Sequence, residues 1–280
     1  MFRSSRPRGM ELERFFNPRQ PISSIATSDL VVISDGSSVR SVTDFMLTRF
    51  RRIPLVTNEM ELNGLVTITD VLDFLGGGRK FRIYKKKAKG IHIPVQHIKI
   101  EKVHTMHPNY SIMKALQTFR EHGRGAYPLL HKGVLKGMIT EWDFVERMVE
   151  PVDVRVEEIM TANPIVAKND YSVWDATKMM CRGGFRRLPV TDQGILLGIV
   201  TPYDILSYLV RGERVSSHKL ESRKVKDVMN RYVTTIEPEK SVTEAVELMR
   251  NKKVGGLPVI EDEELVGIIT ERDVLNALVF

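Results

Sequence analysis

Gly255-Gly-Leu-Pro258-Val-Ile260 and, shortly after it, Gly267-Ile-Ile-Thr270-Glu-Arg-Asp273 form a two-part pattern: an apolar strand centred on proline, then glycine, two apolar residues and Thr-x-x-Asp. The same pattern stands at Arg186–Thr191 with Gly198–Asp204, at Gly125–Leu130 with Gly137–Asp143, and at Arg51–Val56 with Gly64–Asp70. Each proline precedes its threonine by twelve or thirteen residues, so the two halves keep register in all four copies. A fixed internal period of this kind decides the architecture before any single element does.

An amphipathic helix precedes each proline strand. Ser241-Val-Thr-Glu244 reads as a capping box, and Val242, Ala245, Val246 and Met249 follow at helical spacing. Ser172, Val173, Ala176, Thr177 and Met180 match them in the third copy. A short β-branched strand is expected before the helix, as at Val233–Ile236 or Ile165–Ala167, and a second helix after each Thr-x-x-Asp. The unit is therefore β-α-β-β-α, and the fold class α+β. A unit of about 60 residues buries little alone. Packing of helix faces between sequence neighbours is expected to solve this, giving two double-repeat modules.

The expected layout is a basic lead-in at 1–21, a first pair at 22–150 and a second at 151–280. The repeats run over 22–75 and 97–150 in the first pair, 151–211 and 221–280 in the second, with a basic linker at 76–96. The lead-in carries Arg3, Arg6, Arg8, Arg14 and Arg19 without the apolar stretch of a secretory signal, and is expected to be partly mobile. Gly76-Gly77-Gly78 reads as a helix C-cap followed by a flexible connector. No apolar run approaches the ~20 residues of a membrane span. The single cysteine, Cys181, cannot form an internal disulfide, which suits a reducing, cytoplasmic setting. The net charge of +7 equals the seven basic residues of the acid-free segment Arg79–Lys89, so the rest of the chain is balanced.

These repeated motifs resemble the CBS domain family over nearly the whole chain after about residue 22, and the four-repeat layout is similar to archaeal relatives of the gamma subunit of AMP-activated protein kinase. The resemblance implies two pseudo-symmetric CBS pairs meeting in a flat disc. It also implies adenosyl ligands in clefts between paired repeats, with AMP, ADP, ATP and S-adenosylmethionine the usual examples.

The residues suit such a ligand. A ribose offers two vicinal hydroxyls, and an ionised carboxylate accepts from both; Asp70, Asp143, Asp204 and Asp273 are the matching positions. Thr67, Thr140, Thr201 and Thr270 lie where a helix begins, with free N–H groups that favour an anion. The plainer reading is that Thr-x-x-Asp only caps its helix, and both roles can coexist. For phosphate, Arg51-Arg52 and Arg186-Arg187 hold equivalent places in the odd repeats, and their forked guanidinium groups match phosphate oxygens. The even repeats have Gly125-Ala126 and Gly255-Gly256 there, an alternation suggesting that one repeat's arginine serves another repeat's site. Arg124 and Arg272 are second-rank candidates. The adenine is expected between the first strand and the proline strand. Its pocket would draw on Thr27 and Leu30, on Thr161, Pro164 and Ile165, and on Asn230 and Val233. The second repeat departs from the others with Lys102, Val103 and His104, which puts its base slot in question. Two or three filled sites are expected.

No Gly-rich phosphate loop with Lys-Ser/Thr is present. His104 and His107 lack partners for a metal site, and Cys181 and Trp142 read as packing residues. No nucleophile–base set appears beyond the repeats, which points to a regulatory protein and away from an enzyme, with no catalytic cofactor. The leading expectation is an adenine-nucleotide sensor acting on an unidentified protein partner. A homodimer, an S-adenosylmethionine ligand, or a nucleic-acid partner on Arg79–Lys89 with Phe81 and Tyr84 interleaved are the alternatives. No membrane association is expected.

Overall fold

The computed structural model describes residues 10–48, 50–76, 78, 80, 90–210 and 217–279. A short strand β1 (Met10–Glu11) leads into the first repeat, which contains α1 (Val39–Thr48), β2 (Arg52–Val56), β3 (Leu62–Thr67) and α2 (Ile68–Leu75). The second repeat contains α3 (Ile112–His122), β4 (Ala126–His131), β5 (Val134–Thr140) and α4 (Glu141–Val145). The third runs through α5 (Val156–Ile159), β6 (Thr161–Ala162), β7 (Ala167–Lys168), α6 (Val173–Gly183), β8 (Leu188–Asp192), β9 (Ile195–Val200) and α7 (Pro202–Val210). The fourth has α8 (Ser217–Ser222), α9 (Val242–Lys252), β10 (Gly256–Glu261), β11 (Glu264–Thr270) and α10 (Glu271–Ala277), followed by β12 (Leu278–Val279).

The central proline explains the shape of each unit. Pro54, Pro128, Pro189 and Pro258 sit in antiparallel hairpins whose register shifts at the same place, one or two residues after the proline. A proline has no N–H to donate, so the first strand of the unit is gripped only by the proline carbonyl and the N–H two residues on. The Ile33 N–H donates to Pro54 O and the Ile33 carbonyl accepts from the Val56 N–H; Met106 and Ile236 repeat this at Pro128 and Pro258. The expected first strands therefore shrink to parallel bridges at Ile33, Met106 and Ile236, and to Ala167–Lys168 in place of Ile165–Ala167.

The helix starts follow their sequence signals. Ser111, Ser172 and Ser241 accept from the N–H three residues on, and Ser241 and Glu244 close a full capping box.

Neighbours in sequence do not pair through their helices. They meet edge to edge along their hairpins, at Thr27–Met138 and Leu65–Ile100 in the first half and at Thr161–Ile268 and Ile199–Asn230 in the second. The helix faces pack across the halves, α2 against α6 and α7, and α4 against α10. One apolar core thus joins repeats one and three, through Val71, Leu72, Met180 and Leu206 among others. The other joins repeats two and four, through Phe119, Phe144, Val246 and Leu275. The expectation of helix pairing within each half is corrected: the seams link sequence neighbours and the cores link alternate repeats.

The turns that open the repeats are exchanged along the seams. Ile22 and Ile25, which open repeat one, are buried in the core of repeats two and four; Val95 and Ile98, which open repeat two, are buried in the core of repeats one and three. Val156 and Val225 are exchanged in the same sense.

From residue 10 onward the lead-in is part of the fold. Met10, Leu12 and Phe16 are buried, Phe16 stands edge-on to Phe144 at 5.7 Å, and β1 pairs in parallel with β12. The last helix ends at Ala277 because Leu278 turns into that pairing.

Candidate functional site

All four Thr-x-x-Asp motifs fold alike. The Thr N–H and Oγ1 both donate to Oδ2 of the aspartate, at 2.9 and 2.6 Å for Asp70, 2.6 and 2.7 Å for Asp143, 2.8 and 2.6 Å for Asp204, and 2.8 and 2.5 Å for Asp273. Capping is therefore real in every copy, and it consumes only one carboxylate oxygen. The other oxygen distinguishes the copies. Oδ1 of Asp143 accepts from Thr27 Oγ1 at 3.3 Å and Oδ1 of Asp273 from Thr161 Oγ1 at 3.1 Å. Oδ1 of Asp70 takes the Lys80 ammonium at 2.6 Å. Oδ1 of Asp204 has no hydrogen bond among the described residues. Burial pushes the carboxyls of Asp143, Asp204 and Asp273 above their ordinary value, as expected for a carboxylate withdrawn from water.

Because the opening turns are exchanged, each cleft is built by two repeats. Thr27 and Leu30 lie against the second repeat, Thr27 on Asp143 and Leu30 packed with Met138. Thr161, Pro164 and Ile165 lie against the fourth, where they share a cavity of about 280 Å³ with Pro189, Ile268, Thr270 and Asp273. Pro189, from the proline strand of the third repeat, lines the same cavity, and the cavity's aspartate comes from the neighbouring repeat. Asn230 pairs with Ile199 beside the third repeat, while Val233 lines a separate outer recess with Leu196 and Gly198.

The arginines converge at the centre, where a cavity of about 860 Å³ is lined by residues of all four repeats, including Arg51, Arg52, Glu141, Arg186 and Glu271. Glu141, only 2% exposed, accepts from Arg186 Nη2 at 2.6 Å and from Arg272 Nε at 2.8 Å. Burial works against its ionisation, yet the two guanidinium groups outweigh it and hold its carboxyl below the usual range. Arg186 is raised in turn, Glu141 overcoming the effect of burial. Arg187 Nη2 is buried without a hydrogen bond, 3.8 Å from Glu271 Oε1. Burial foremost brings both Arg52 and Arg187 down to about 10. Arg51, Arg52, Arg186, Arg187 and Arg272 thus face two glutamates, and the cluster retains a positive excess.

The even-repeat glycines make room for this cluster. A β-carbon at Gly125 would lie 2.6 Å from Arg186 Nη1 and 2.9 Å from Arg52 Nη2, and one at Gly255 would collide with Glu271 and Arg187. The Arg/Gly alternation is thus a physical fit between repeats: odd-repeat side chains fill even-repeat vacancies.

Arg124 is exposed and borders none of these cavities. Trp142 packs on the core of repeats two and four and also lines the central cavity. Cys181, its thiol pushed up to about 12 by burial, packs beside Thr69. His107 hydrogen-bonds His131 at 3.0 Å, and no group of three metal-ligating side chains forms among the described residues. The basic segment lies outside the described residues except for Lys80. Sequence reasoning passed over Glu141 and Glu271, although both even repeats carry Glu directly after the motif threonine where the odd ones have Ile68 and Pro202. It also passed over Phe185 and Asn163 in the Asp273 cleft, and over Arg250 and Lys253 at the central cavity. No helix among the described residues is long and apolar enough to cross a membrane.

Known proteins resemble this chain in sequence and fold. Protein MJ1225 of Methanocaldococcus jannaschii is 30% identical over 245 residues, 81% of this chain and 87% of its own length. The crystal structure of MJ1225, described as that of a candidate archaeal homologue of g-AMPK, superposes with a TM-score of 0.86 at 28% identity, covering 91% of this chain and 99% of that one. A 33.4 kDa protein of the ribosomal RNA operon of Thermofilum pendens is 30% identical over 264 residues, 89% of this chain and 88% of its own length. A Pyrococcus horikoshii structure, 22% identical with a TM-score of 0.62 over 92% of this chain, shares the fold. The CBS domain family model matches residues 22–77, 95–150, 156–211 and 225–280, and the chain belongs to the CBS domain family as a four-repeat member.

Proposed function

We propose that the protein is a regulatory adenine-nucleotide sensor of the cytosol, holding AMP, ADP or ATP in clefts between neighbouring repeats and passing the binding on to a protein partner. One observation carries this reading. In the cleft between repeats three and four, a single cavity presents Thr161, Pro164 and Ile165 for a base, Asp273 for a ribose, and Arg186, Arg187 and Arg272 for phosphate. Between repeats one and two, Thr27 bonds Asp143, and Arg51 and Arg52 share the central cavity with Thr140 of the same motif. These two clefts are the principal sites.

The chemistry fits a ligand with a fixed order of groups. The ribose hydroxyls replace the Thr161 hydroxyl as donors to Oδ1 of Asp273, relieving the cost of a buried carboxylate. The phosphates meet the under-compensated guanidinium groups, whose buried charge an anion stabilises. The printed description of MJ1225 as a candidate homologue of g-AMPK supports a regulatory role of this kind. The arrangement offers binding and charge compensation.

Isothermal titration with adenosine, AMP, ADP, ATP and S-adenosylmethionine tests the reading. Binding that strengthens from adenosine to AMP supports it, since the arginines then recognise phosphate. Equal heats for adenosine and all three nucleotides would remove the arginines from the site, and tighter binding of S-adenosylmethionine than of any nucleotide would replace the ligand.

A further inference from the structure

The four clefts differ at one aligned position. Thr27, Thr161 and Asn230 each stand where the opening turn of one repeat bridges the second hairpin strand of its neighbour; in repeat two that position is Ile100, bridged to Leu65. Two of these polar residues donate to the aspartate across the seam. Ile100 has no donor to offer Asp70. Lys80 supplies one instead: its Nζ lies 2.6 Å from Asp70 Oδ1 and 2.5 Å from Ile98 O, and its own N–H is anchored on Asp73 Oδ2 at 3.2 Å. The pair is largely enclosed, with side-chain exposures of 25% for Lys80 and 14% for Asp70.

We propose that Lys80 is the residue that withdraws one of the four clefts from nucleotide binding, by occupying the Asp70 oxygen that a ribose would need. The inference rests on the ribose role assigned above to the other aspartates. With Oδ2 held by Thr67 and Oδ1 held by an ammonium group, Asp70 has a full set of donors and a compensated charge. A neutral hydroxyl must then displace an ammonium group that already compensates the carboxylate's charge. The cleft also lacks the arginine pair, since the repeat lending its opening turn carries Gly125-Ala126 at that place. The loss of the threonine and the arrival of the lysine thus act together: the carboxylate stays useful as a helix cap and stops being a ligand.

The test has two arms. In the first, amines are acylated and the labelling of Lys80 is read by mass spectrometry against the exposed Lys132. Asp70→Asn should raise the labelling rate of Lys80 about tenfold, the loss of one charge-assisted hydrogen bond. Saturating AMP should leave it unchanged in the wild type. A rise with AMP would overturn the proposal, as would no rise in Asp70→Asn.

In the second arm, AMP stoichiometry is measured for the wild type and for the double variant Lys80→Met/Ile100→Thr, with its fold checked by circular dichroism. The double variant should take up one further equivalent of AMP per chain. Wild-type uptake with no further equivalent in the folded variant overturns the assignment to Lys80 alone. No uptake by either overturns the nucleotide reading and this inference with it.

Discussion

Arg186 of the third repeat bonds Glu141 of the second at 2.6 Å, through space that a side chain at Gly125 would occupy. This contact joins the two halves of the chain at their centre, and a carboxylate stands there where a phosphate oxygen would fit the same guanidinium fork. Glu141→Gln keeps the shape and removes the charge. The variant should lose about 2 kcal/mol of stability, below the usual cost of breaking a fully buried pair because Arg186 and Arg272 are partly exposed. Inorganic triphosphate should restore its thermal midpoint more than that of the wild type. Differential scanning fluorimetry with and without triphosphate measures both effects.

Arg52 makes no ion pair within bonding distance among the described residues, and its charge is held at a cost, with a pKa down at about 10. Arg52→Met should therefore raise the thermal midpoint by a few degrees in the absence of ligand, equivalent to about 1 kcal/mol. The same change should weaken AMP binding relative to adenosine. Opposite signs for stability and affinity are the signature of a charge kept for a ligand.

Asp273→Asn should weaken AMP binding at the cleft of repeats three and four by about tenfold to a hundredfold, the range of one to two charge-assisted hydrogen bonds. Asn still accepts from Thr270 through its carbonyl oxygen, so the helix cap survives and the circular dichroism spectrum should not change. Loss of binding together with loss of helix would assign the residue to capping alone.

Burial raises the carboxyl pKa of Asp143 and Asp273, and ribose hydroxyls donate to the ionised form. AMP affinity should therefore be full above the folded-state pKa and fall as the pH drops through it. The decline should begin above the ordinary aspartate value of about 3.9. For the unliganded protein the sign reverses. The folded state holds these protons more tightly than the unfolded chain, so this contribution favours folding at low pH and is lost as pH rises from the unfolded pKa through the folded one. A titration series in AMP from pH 7 downward, with parallel melting curves, separates the two.

The interleaved cores make a prediction about fragments. A chain of residues 22–150 alone would expose the faces of α2 and α4 that are buried against repeats three and four. Such a fragment should be a dimer in sedimentation, with one copy's helices taking the places of the missing half. The intact chain should melt in a single transition. Independent melting of the two halves would contradict the shared cores.

The fold was readable because the proline strand and Thr-x-x-Asp are local: Pro258 and Thr270 constrain their own hairpin whatever surrounds them. The capping boxes at Ser241 and Thr270 were legible for the same reason. What escaped was relational. Thr27 and Asp143 lie in different repeats, and no periodicity within either one shows that the opening turns are exchanged. The arginine–glycine alternation was visible, and its complement, the glutamates at 141 and 271, lay one residue inside a motif read for its ends. Lys80 was hidden in a basic run whose composition suggested a linker or a nucleic-acid contact; its value comes from Ile100, twenty residues away, lacking a donor.

The arrangement of seams and cores has a topological result. Repeat one is joined to two by a seam, two to four by a core, four to three by a seam, and three back to one by a core. The four units form a closed cycle of alternating bonds, and a cycle has no first or last member. Open repeat arrays need terminal units with a polar outer face to seal their ends. Here no unit plays that part, which accounts for four repeats with the same apolar pattern and leaves their differences free to accumulate around the shared centre.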